Sequence, residues 1–423
     1  MTLTRRGMIA GATALIGWRA AMPAIARARA KVVVIGGGVG GVCVVNRLAA
    51  TGGVDLTLVE PNQTYTTCFY SNLVLGGIQP RHLLDHGYDV VGQQSSVSLA
   101  ATAAKAVDRE RKRVVLADGG TLAYDRLVLS PGISLDYDAV PGWSRDTEER
   151  MPHAWVAGRQ TDLLKRQLDA VPDGGLIIVI PPPGRYRCPP APYERVSMMA
   201  HALKTTGRHR AKILVLDPKA SFSKQALFQH GWERHYPGMI EWMSPMIHAG
   251  MKRVDGRTMT VETDFETYSN AALVNVIRAQ RAARIALDAG LANSGGYCGV
   301  DPVTMRSQSD ANIFVLGDAA DGGAMPKSAF AASNQAAVVA GTIAHELLDR
   351  PAPAAAYRNK CWSLIAADDS VFVSASYRPD AEGIVRVDEE VSSPKDPAAV
   401  RRQNYADSAA WYAGLTSEMF AGR

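Results

Sequence analysis

The first strong pattern along the chain is an apolar run that ends in glycines. Residues 31–35 are Lys-Val-Val-Val-Ile, residues 36–41 contain five glycines, and the residues that follow have a helix-like pattern. A buried strand, a tight turn and a helix in this order form the dinucleotide-binding fingerprint, in which Gly36 permits the turn, Gly38 lets the backbone approach a pyrophosphate, and Gly41 lets helix and strand pack closely. A second strand ends at Glu60, where an acid can hold a ribose hydroxyl. We therefore predict a dinucleotide site rather than a purely structural turn.

Two further strands end in tight turns later in the chain. Residues 124–132 end in Ser-Pro-Gly, and residues 312–318 end in Gly317-Asp318. This arrangement resembles the flavoproteins with two dinucleotide-binding domains, the glutathione-reductase-like superfamily. The resemblance implies an α/β fold of two Rossmann-type domains plus a C-terminal interface domain. It also implies FAD as the cofactor, with Asp318 beside its ribityl-phosphate region.

A second α/β unit lies between these strands, with apolar strands at residues 176–180 and 213–216. In NADH-using relatives another glycine fingerprint would follow the first of them. Here residues 181–188 are Pro-Pro-Pro-Gly-Arg-Tyr-Arg-Cys. Proline removes backbone donors and no glycine spacing remains for a pyrophosphate, so we expect no NAD(P)H site.

The pattern divides the chain into four parts. Residues 1–30 are predicted to be a twin-arginine signal peptide, 31–150 and 276–348 the discontinuous FAD-binding domain, 151–275 the second Rossmann-like domain, and 349–423 a C-terminal domain with Cys361 and a partner interface. Near the end, apolar residues at helical spacing indicate either core or an interface.

The leader prediction depends on the order of three regions. Residues 4–10 are Thr-Arg-Arg-Gly-Met-Ile-Ala, a modestly apolar run reaches Trp18, and residues 28–30 form a small-x-small cleavage site. Because the apolar run is short and contains glycine, we expect export to the periplasm rather than a transmembrane anchor.

Composition excludes several classes of function. The net charge of +5 comes largely from arginines before residue 31, which argues against nucleic-acid binding. The 423 residues include five cysteines, so at least one is outside any intrachain disulfide. No Cys-x-x-Cys-His or paired Cys/His spacing occurs, so we predict neither an attached c-type haem nor a metal site.

Eight short segments resemble the flavoprotein subunit of flavocytochrome c sulfide dehydrogenase, a periplasmic relative of sulfide:quinone reductase that pairs with a c-type cytochrome. They are residues 65–72, 86–89, 152–155, 187–195, 222–225, 231–234, 325–328 and 377–379. The resemblance implies a sulfide:cytochrome c oxidoreductase that works as a heterodimer with the cytochrome. Hydrogen sulfide would be its small-molecule substrate.

The resemblance also implies roles for three cysteines. Cys188 and Cys361 match the redox-active pair, in which hydrosulfide can attack a disulfide sulfur; a structural disulfide is the alternative. Cys68 matches the cysteine that carries the flavin covalently, with a buried free thiol as the alternative. Cys43 is expected in the core, and no role is predicted for Cys298.

Two charged residues complete the predicted site. Glu194 could shuttle protons beside Cys188, or could be a solvated surface acid. Lys327 precedes a predicted helix, and its charge together with the helix N-terminus could stabilise an anionic reduced flavin.

Two other functions remain open from the sequence. One is a thiol oxidoreductase that activates a sulfur-carrier protein of a thiosulfate-oxidising system. The other is a sulfide:quinone reductase, for which we would expect a strongly apolar helix pair at the C-terminus. The tail instead carries several charged residues among its apolar ones.

Overall fold

A computed structural model describes residues 29–137 and 140–421. The predicted leader lies outside these residues except for its last two, Arg29 and Ala30, and the first strand already begins at Ala30.

Twenty-four strands are present in the described residues. Numbered in chain order, they are β1 Ala30–Ile35, β2 Val54–Val59, β3 Thr64–Thr66, β4 Asp85–Gly87, β5 Val97–Ala100, β6 Ala104–Asp108, β7 Arg113–Leu116, β8 Thr121–Ala123, β9 Arg126–Leu129, β10 Ile133–Leu135, β11 Leu176–Ile180, β12 Lys212–Leu216, β13 Ile240–Met243, β14 Met251–Asp255, β15 Thr260–Thr263, β16 Thr267–Tyr268, β17 Leu273–Val276, β18 Gln280–Ala282, β19 Cys298–Gly299, β20 Ile313–Val315, β21 Ala320–Asp321, β22 Tyr357–Ala366, β23 Asp369–Asp380 and β24 Gly383–Val391.

Ten α-helices accompany these strands in the part of the chain that is described. They are α1 Val39–Thr51, α2 Ser71–Leu75, α3 Asp89–Gly92, α4 Arg159–Asp169, α5 Ala191–Thr205, α6 Gln225–His235, α7 Pro245–His248, α8 Arg284–Asp288, α9 Ala329–Leu348 and α10 Ala398–Phe420.

The first large sheet is a five-stranded parallel sheet in the order β20-β9-β1-β2-β5. Its central strand β1 has four consecutive fully covered residues because helices or other chain segments lie on both faces, as is usual for parallel sheets. Since β20 comes from the late part of the chain and β1 from the early part, this sheet joins the two stretches that were predicted to share one domain. An α/β fold of the glutathione-reductase-like kind is confirmed.

The second large sheet has four parallel strands in the order β13-β12-β11-β17. Both strands predicted here, β11 and β12, are present, and α5 follows β11 through the proline-rich loop. This loop carries Cys188, so a cysteine lies after β11 at the position where nucleotide-binding relatives have the glycine loop.

The C-terminal region forms an antiparallel sheet, β22-β23-β24, and the long helix α10. Phe420 on α10 packs against Tyr65 and His86, with ring centroids 5.8 and 5.2 Å apart, and Trp411 packs against Phe330 at 5.7 Å. The apolar stripe of the tail is therefore core within this chain, and α10 closes one side of the FAD-binding domain.

Candidate active site

A cleft of about 520 Å³ lies where the glycine loop, the loop after β11, strand β22 and helix α10 meet. Nearly all of the predicted site residues line it, whereas Gly41 lies just behind it. The cleft-lining members of the predicted set are Gly36, Gly38, Glu60, Cys68, Cys188, Glu194, Asp318, Lys327 and Cys361.

The glycine loop has the conformation that the fingerprint requires. Gly36 has a φ of 102°, which favours glycine, and a Cβ added to Gly41 would lie 1.9 Å from the carbonyl oxygen of Gly36. Gly38 is the N-cap of α1, and because it has no side chain, it cannot cap the first N–H groups of the helix. Gly38, Val39 and Gly40 line the cleft, so these N–H groups lie beside it. Such a helix N-terminus fits a pyrophosphate, and the residues present therefore fit FAD.

Glu60 stands at the end of β2, beside this loop. One carboxylate oxygen accepts a hydrogen bond from the Gly37 N–H at 2.8 Å, and the other accepts from the Asn62 side chain at 2.6 Å. These contacts fix the carboxylate at the wall of the cleft, where it can meet a ribose. Asn62 was not predicted, because no sequence pattern marks it.

Asp318 and Lys327 also line the cleft. Asp318 follows β20 and its carboxylate is 3.7 Å from the Arg187 guanidinium. The Lys327 ammonium donates to the Ala320 carbonyl and lies 3.7 Å from the centre of the Tyr297 ring, while burial lowers the pKa of Lys327 to about 8. Lys327 thus precedes α9 at the cleft as expected, and its effect on a reduced flavin stays a prediction.

The structure brings Cys188 and Cys361 together although they are far apart in sequence. Both thiols are free in this structure, both line the cleft, and each shifts the pKa of the other. Cys188 has a φ of 54°, and its N–H donates to the Lys327 carbonyl at 2.7 Å. Cys361 is held in the middle of β22, opposite Val373 of β23. The loop after β11 and strand β22, which are distant in sequence, thus place the two thiols in one cleft.

The two thiols differ in acidity. The pKa of Cys361 is lowered to about 7 by the hydrogen bond with Cys188 and then by the Lys224 ammonium and the Asn359 amide, against the effect of burial. The pKa of Cys188 is raised, by its hydrogen bond with Cys361 and then by burial. Of the pair, Cys361 is therefore the sulfur that more readily carries negative charge.

Glu194 lies in the first turn of α5 and faces this pair from the side. Its carboxylate accepts from the Asn72 side chain at 2.8 Å and from the Leu364 N–H at 2.9 Å. Burial raises the pKa of Glu194, against these two hydrogen bonds. Glu194 is a half-buried group of the cleft and not a solvated surface acid.

Cys68 comes just before α2 and lines the same cleft. Its carbonyl accepts the Ser71 hydroxyl at 2.6 Å, and Tyr70 adopts a φ of 71° to start the helix. This turn holds the thiol toward the space beside Tyr65. The other two cysteines, Cys43 and Cys298, are fully buried, as expected for Cys43.

Sequence reasoning missed four further polar residues of the site, of which Asn72, Arg195 and Lys224 lie inside segments that carried the resemblance and Asn359 lies outside all of them. Lys224 donates to the Cys361 carbonyl, Asn359 contacts the Cys361 sulfur, Asn72 holds Glu194, and Arg195 is 2 % exposed with hydrogen bonds from all three guanidinium nitrogens. Their residue types alone carry no signal for these contacts.

The corresponding region of the second sheet is filled by the chain's own side chains. Asp217 follows β12, where a nucleotide-binding domain places its ribose acid, yet Asp217 is fully buried. Its carboxylate accepts from the Tyr193 hydroxyl at 2.5 Å, the Trp242 indole at 2.9 Å and the Lys219 ammonium at 2.7 Å. Lys219 also donates to the Pro182 carbonyl at 3.0 Å.

Among residues 29–137 and 140–421, no group of three or more His, Cys, Asp or Glu side chains is arranged to hold a metal ion. No helix in that part of the chain has the length and apolar character needed to cross a membrane.

Comparison with solved structures shows which fold the chain has. Sulfide:quinone oxidoreductase from Aquifex aeolicus matches with a TM-score of 0.73 and 17% identity, over 93% of this chain and 92% of the other. NDH2 from Plasmodium falciparum in complex with NADH matches with a TM-score of 0.67 and 11% identity, over 93% and 97%. Putidaredoxin reductase, in its covalent complex with putidaredoxin, matches with a TM-score of 0.63 and 18% identity, over 93% and 99%. The chain is an FAD-binding flavoprotein with the fold of the disulfide oxidoreductase class.

Three family models identify the chain more closely. The pyridine nucleotide-disulphide oxidoreductase model matches residues 30–162. The central model of the sulfide dehydrogenase (flavocytochrome c) flavoprotein chain matches residues 161–278, and the flavin-binding model of flavocytochrome c sulphide dehydrogenase matches residues 353–420. The predicted resemblance to the flavoprotein chains of flavocytochrome c sulfide dehydrogenase is confirmed, and the protein is a flavoprotein oxidoreductase of the sulfide-oxidising kind.

Proposed function

We propose that this protein is a periplasmic sulfide dehydrogenase that oxidises hydrogen sulfide through a Cys188–Cys361 disulfide and passes the electrons from FAD to a c-type cytochrome. The observation that carries this proposal is the pair of free thiols, Cys188 and Cys361, in the cleft that fits FAD. A purely structural disulfide would not need ionisable groups such as Glu194 and Lys224 beside it. Export by the twin-arginine route rests on the sequence of the leader.

The proposed cycle starts from the disulfide. Hydrosulfide attacks the Cys188 sulfur, the S–S bond breaks, and its electron pair stays on Cys361 as a thiolate. Cys188 then carries a persulfide, and a second hydrosulfide removes its outer sulfur as HSS⁻, which leaves Cys188 as a thiol. Closure of the two cysteines to a disulfide releases one proton and two electrons. Two hydrosulfide ions thus give HSS⁻, one proton and two electrons.

The residues around the pair have defined tasks in this cycle. Glu194 takes the proton that the Cys188 thiol loses on closure, and Asn72 keeps its carboxylate in place. Gly36, Gly38, Gly41, Glu60 and Asp318 would hold FAD, which when bound accepts the electron pair and passes it on. The filled region around Asp217 supports a donor other than NAD(P)H.

The form of the C-terminus favours a protein acceptor over a membrane quinone. Met419 and Phe420 of α10 are buried against the FAD-binding domain, while Arg402 and Glu418 are exposed. A helix that buries its apolar residues in its own chain offers little apolar surface for membrane docking. Sulfide:quinone reductase and activator of a sulfur-carrier protein are the two alternative functions, and the titration described next distinguishes them from the proposed one.

Anaerobic titration of the purified holoprotein tests the proposed function. We expect two equivalents of sulfide per reduced flavin to bleach the flavin band, NADH to have no effect, and c-type cytochrome to restore the band faster than a short-chain quinone. Faster recovery with quinone would favour the quinone reductase. Bleaching by a persulfidated carrier protein but not by sulfide would favour the sulfur-carrier function.

We also propose that Cys68 carries FAD covalently. Acid precipitation of the wild-type protein should leave the yellow colour in the pellet, whereas Cys68→Ala should release the flavin into the supernatant. Cys298→Ala is the matched control, because Cys298 is buried away from the cleft and should leave the flavin attached. Release of all flavin from the wild-type protein would rule out the tether.

Replacing Glu194 tests its role in proton transfer. We expect Glu194→Gln to slow flavin reduction by sulfide about 100-fold at neutral pH, which is the lower end of the rate decrease usual when a general acid–base group is removed. Because burial raises the pKa of Glu194, the wild-type carboxylate is lost as the pH falls through that raised pKa, and the rate should fall with it. The variant should lack this acid limb in a stopped-flow pH profile. Glu233→Gln, at an exposed position of α6, is the control and should keep the wild-type profile.

A further inference from the structure

We propose that Lys224 and Asn359 are positioning residues that hold Cys361 as the thiolate of the pair, so that the substrate sulfur is accepted on Cys188. This inference rests on the proposed function and deepens it. It assigns different tasks to two cysteines that the sequence does not distinguish.

Asn359 presents an N–H group to the Cys361 sulfur. It lies two residues earlier on β22, so both side chains point to the same face of the strand, and it is 2 % exposed. Its side-chain nitrogen is 3.6 Å from the Cys361 sulfur. A donor in a buried site favours the charged form of the sulfur.

Ser328 fixes the orientation of this amide. The Ser328 hydroxyl accepts from the Ala331 N–H at 3.0 Å as the N-cap of α9, and it donates to the Asn359 amide oxygen at 2.6 Å. A serine has one hydroxyl hydrogen. If the amide were turned over, that buried hydrogen would lose its acceptor, so the NH₂ group is kept facing the sulfur.

Lys224 brings a positive charge to the backbone of the residue that bears this sulfur. Its φ of 62° starts α6 abruptly, and its ammonium donates to the Cys361 carbonyl at 3.0 Å and to the Ser363 hydroxyl at 2.8 Å. The cation is thus tied to the strand residue that bears the thiol. The same burial that fixes it lowers the pKa of Lys224 to about 8.

Other charged groups also act on the pair. Glu194 of α5 opposes negative charge on both cysteines, whereas the cations Arg187 and Arg195 favour it on Cys188. Lys224 acts first on Cys361 and then on Cys188, and Asn359 contacts the Cys361 sulfur. With all of these groups in place, the pKa of Cys361 is lowered and that of Cys188 is raised. The sulfur with the lower pKa is the better leaving group, so attack on Cys188 with departure of Cys361 is the favoured direction.

Alkylation of the chemically reduced holoprotein at a series of pH values tests the thiolate assignment. Iodoacetamide labelling, read for each cysteine by peptide mass spectrometry, should give a lower midpoint for Cys361 than for Cys188. Lys224→Met removes a neighbouring positive charge and Asn359→Leu removes a hydrogen-bond donor. Each should raise the pH midpoint of Cys361 alkylation by about one unit, the lower end of the pKa shifts that such neighbours cause. Lys224→Arg keeps the charge and should restore most of the difference.

Lys252→Met is the matched control, because Lys252 is an exposed cation of β14, in the same part of the chain. It should leave both midpoints unchanged. Equal midpoints for the two cysteines in the wild-type protein, or no shift in Lys224→Met and Asn359→Leu, would overturn the assignment. Thermal melting of each variant identifies any that fails to fold, and Lys224→Gln then replaces Lys224→Met.

A second measurement separates this inference from the proposed function. Oxidised holoprotein is given one equivalent of sulfide, quenched with iodoacetamide, and the persulfide is located by mass spectrometry. We expect most of it on Cys188 in the wild-type protein and a more even division in Lys224→Met. Persulfide on Cys361 would contradict the inference while leaving sulfide oxidation intact. Different alkylation midpoints without any persulfide would support the thiolate assignment and contradict the proposed function.

Discussion

Cys361→Ser is expected to slow flavin reduction by sulfide by about a thousandfold or more, as is usual when a nucleophile or its partner is removed. Serine has nearly the same shape, but it cannot form the disulfide that hydrosulfide attacks. Cys188→Ser should cause a loss of similar size, and the double variant should be little worse than either single one, because the two sulfurs act as a unit. Stopped-flow bleaching of the flavin band under anaerobic conditions measures the rate.

The control for this prediction separates loss of chemistry from loss of the cofactor site. Dithionite should still reduce the flavin of both serine variants, and Cys43→Ala, which removes a buried thiol of the core, should keep the wild-type rate with sulfide. Bleaching of Cys361→Ser at the wild-type rate would mean that sulfide reduces the flavin without the pair.

Gly41→Ala is expected to lower both FAD content and stability. The added Cβ would lie 1.9 Å from the Gly36 carbonyl oxygen, and neither the backbone oxygen nor a Cβ, which is fixed by its own backbone, can rotate away. We expect the glycine loop to open, FAD content to fall about tenfold because less FAD binds before it is attached, and the free energy of unfolding to fall by about 1–3 kcal/mol. The ratio of flavin to protein absorbance and a denaturant titration measure the two effects.

Gly414→Ala is the matched control for this glycine. Gly414 is a helical glycine of α10, and an added Cβ there would meet no atom within 4 Å. Alanine is favoured over glycine in a helix by about 1 kcal/mol, so this variant should be slightly more stable and keep its flavin. A loss of flavin from both variants alike would mean that the clash in the loop is not the cause.

The FAD-binding half was predictable because its signals are local. The strand, glycine turn, helix and second strand that contain Gly36 and Glu60 fall within about thirty residues, and each step of that pattern has one physical explanation. The same holds for the helix predicted after Lys327, which is present as α9, Ala329–Leu348. The apolar stripe of α10 was ambiguous, since core and interface helices have the same periodicity and only packing against residues such as Tyr65 decides between them.

The candidate site was only partly predictable because its contacts are distant in sequence. The family resemblance supplied Cys188, Cys361 and Glu194. No pattern revealed that Lys224 and Asn359, from α6 and β22, would both meet the same cysteine. A lysine or asparagine at those positions is equally compatible with solvent exposure, so their roles depend on how the domains pack.

The buried guanidinium of Arg195 has a consequence for motion during turnover. It joins α5 to the Asn72 side chain of α2 at 3.1 Å, to the Ala154 carbonyl at 2.7 Å and to the Asn275 side chain of β17 at 3.1 Å. Opening a hinge between α2 and α5 would break the Asn72 hydrogen bonds to Arg195 and Glu194, at a cost of about 1.5–3 kcal/mol each. The helix that follows Cys68 is therefore held against the helix that follows Cys188 in the resting protein, and catalysis need not wait for these two elements to close.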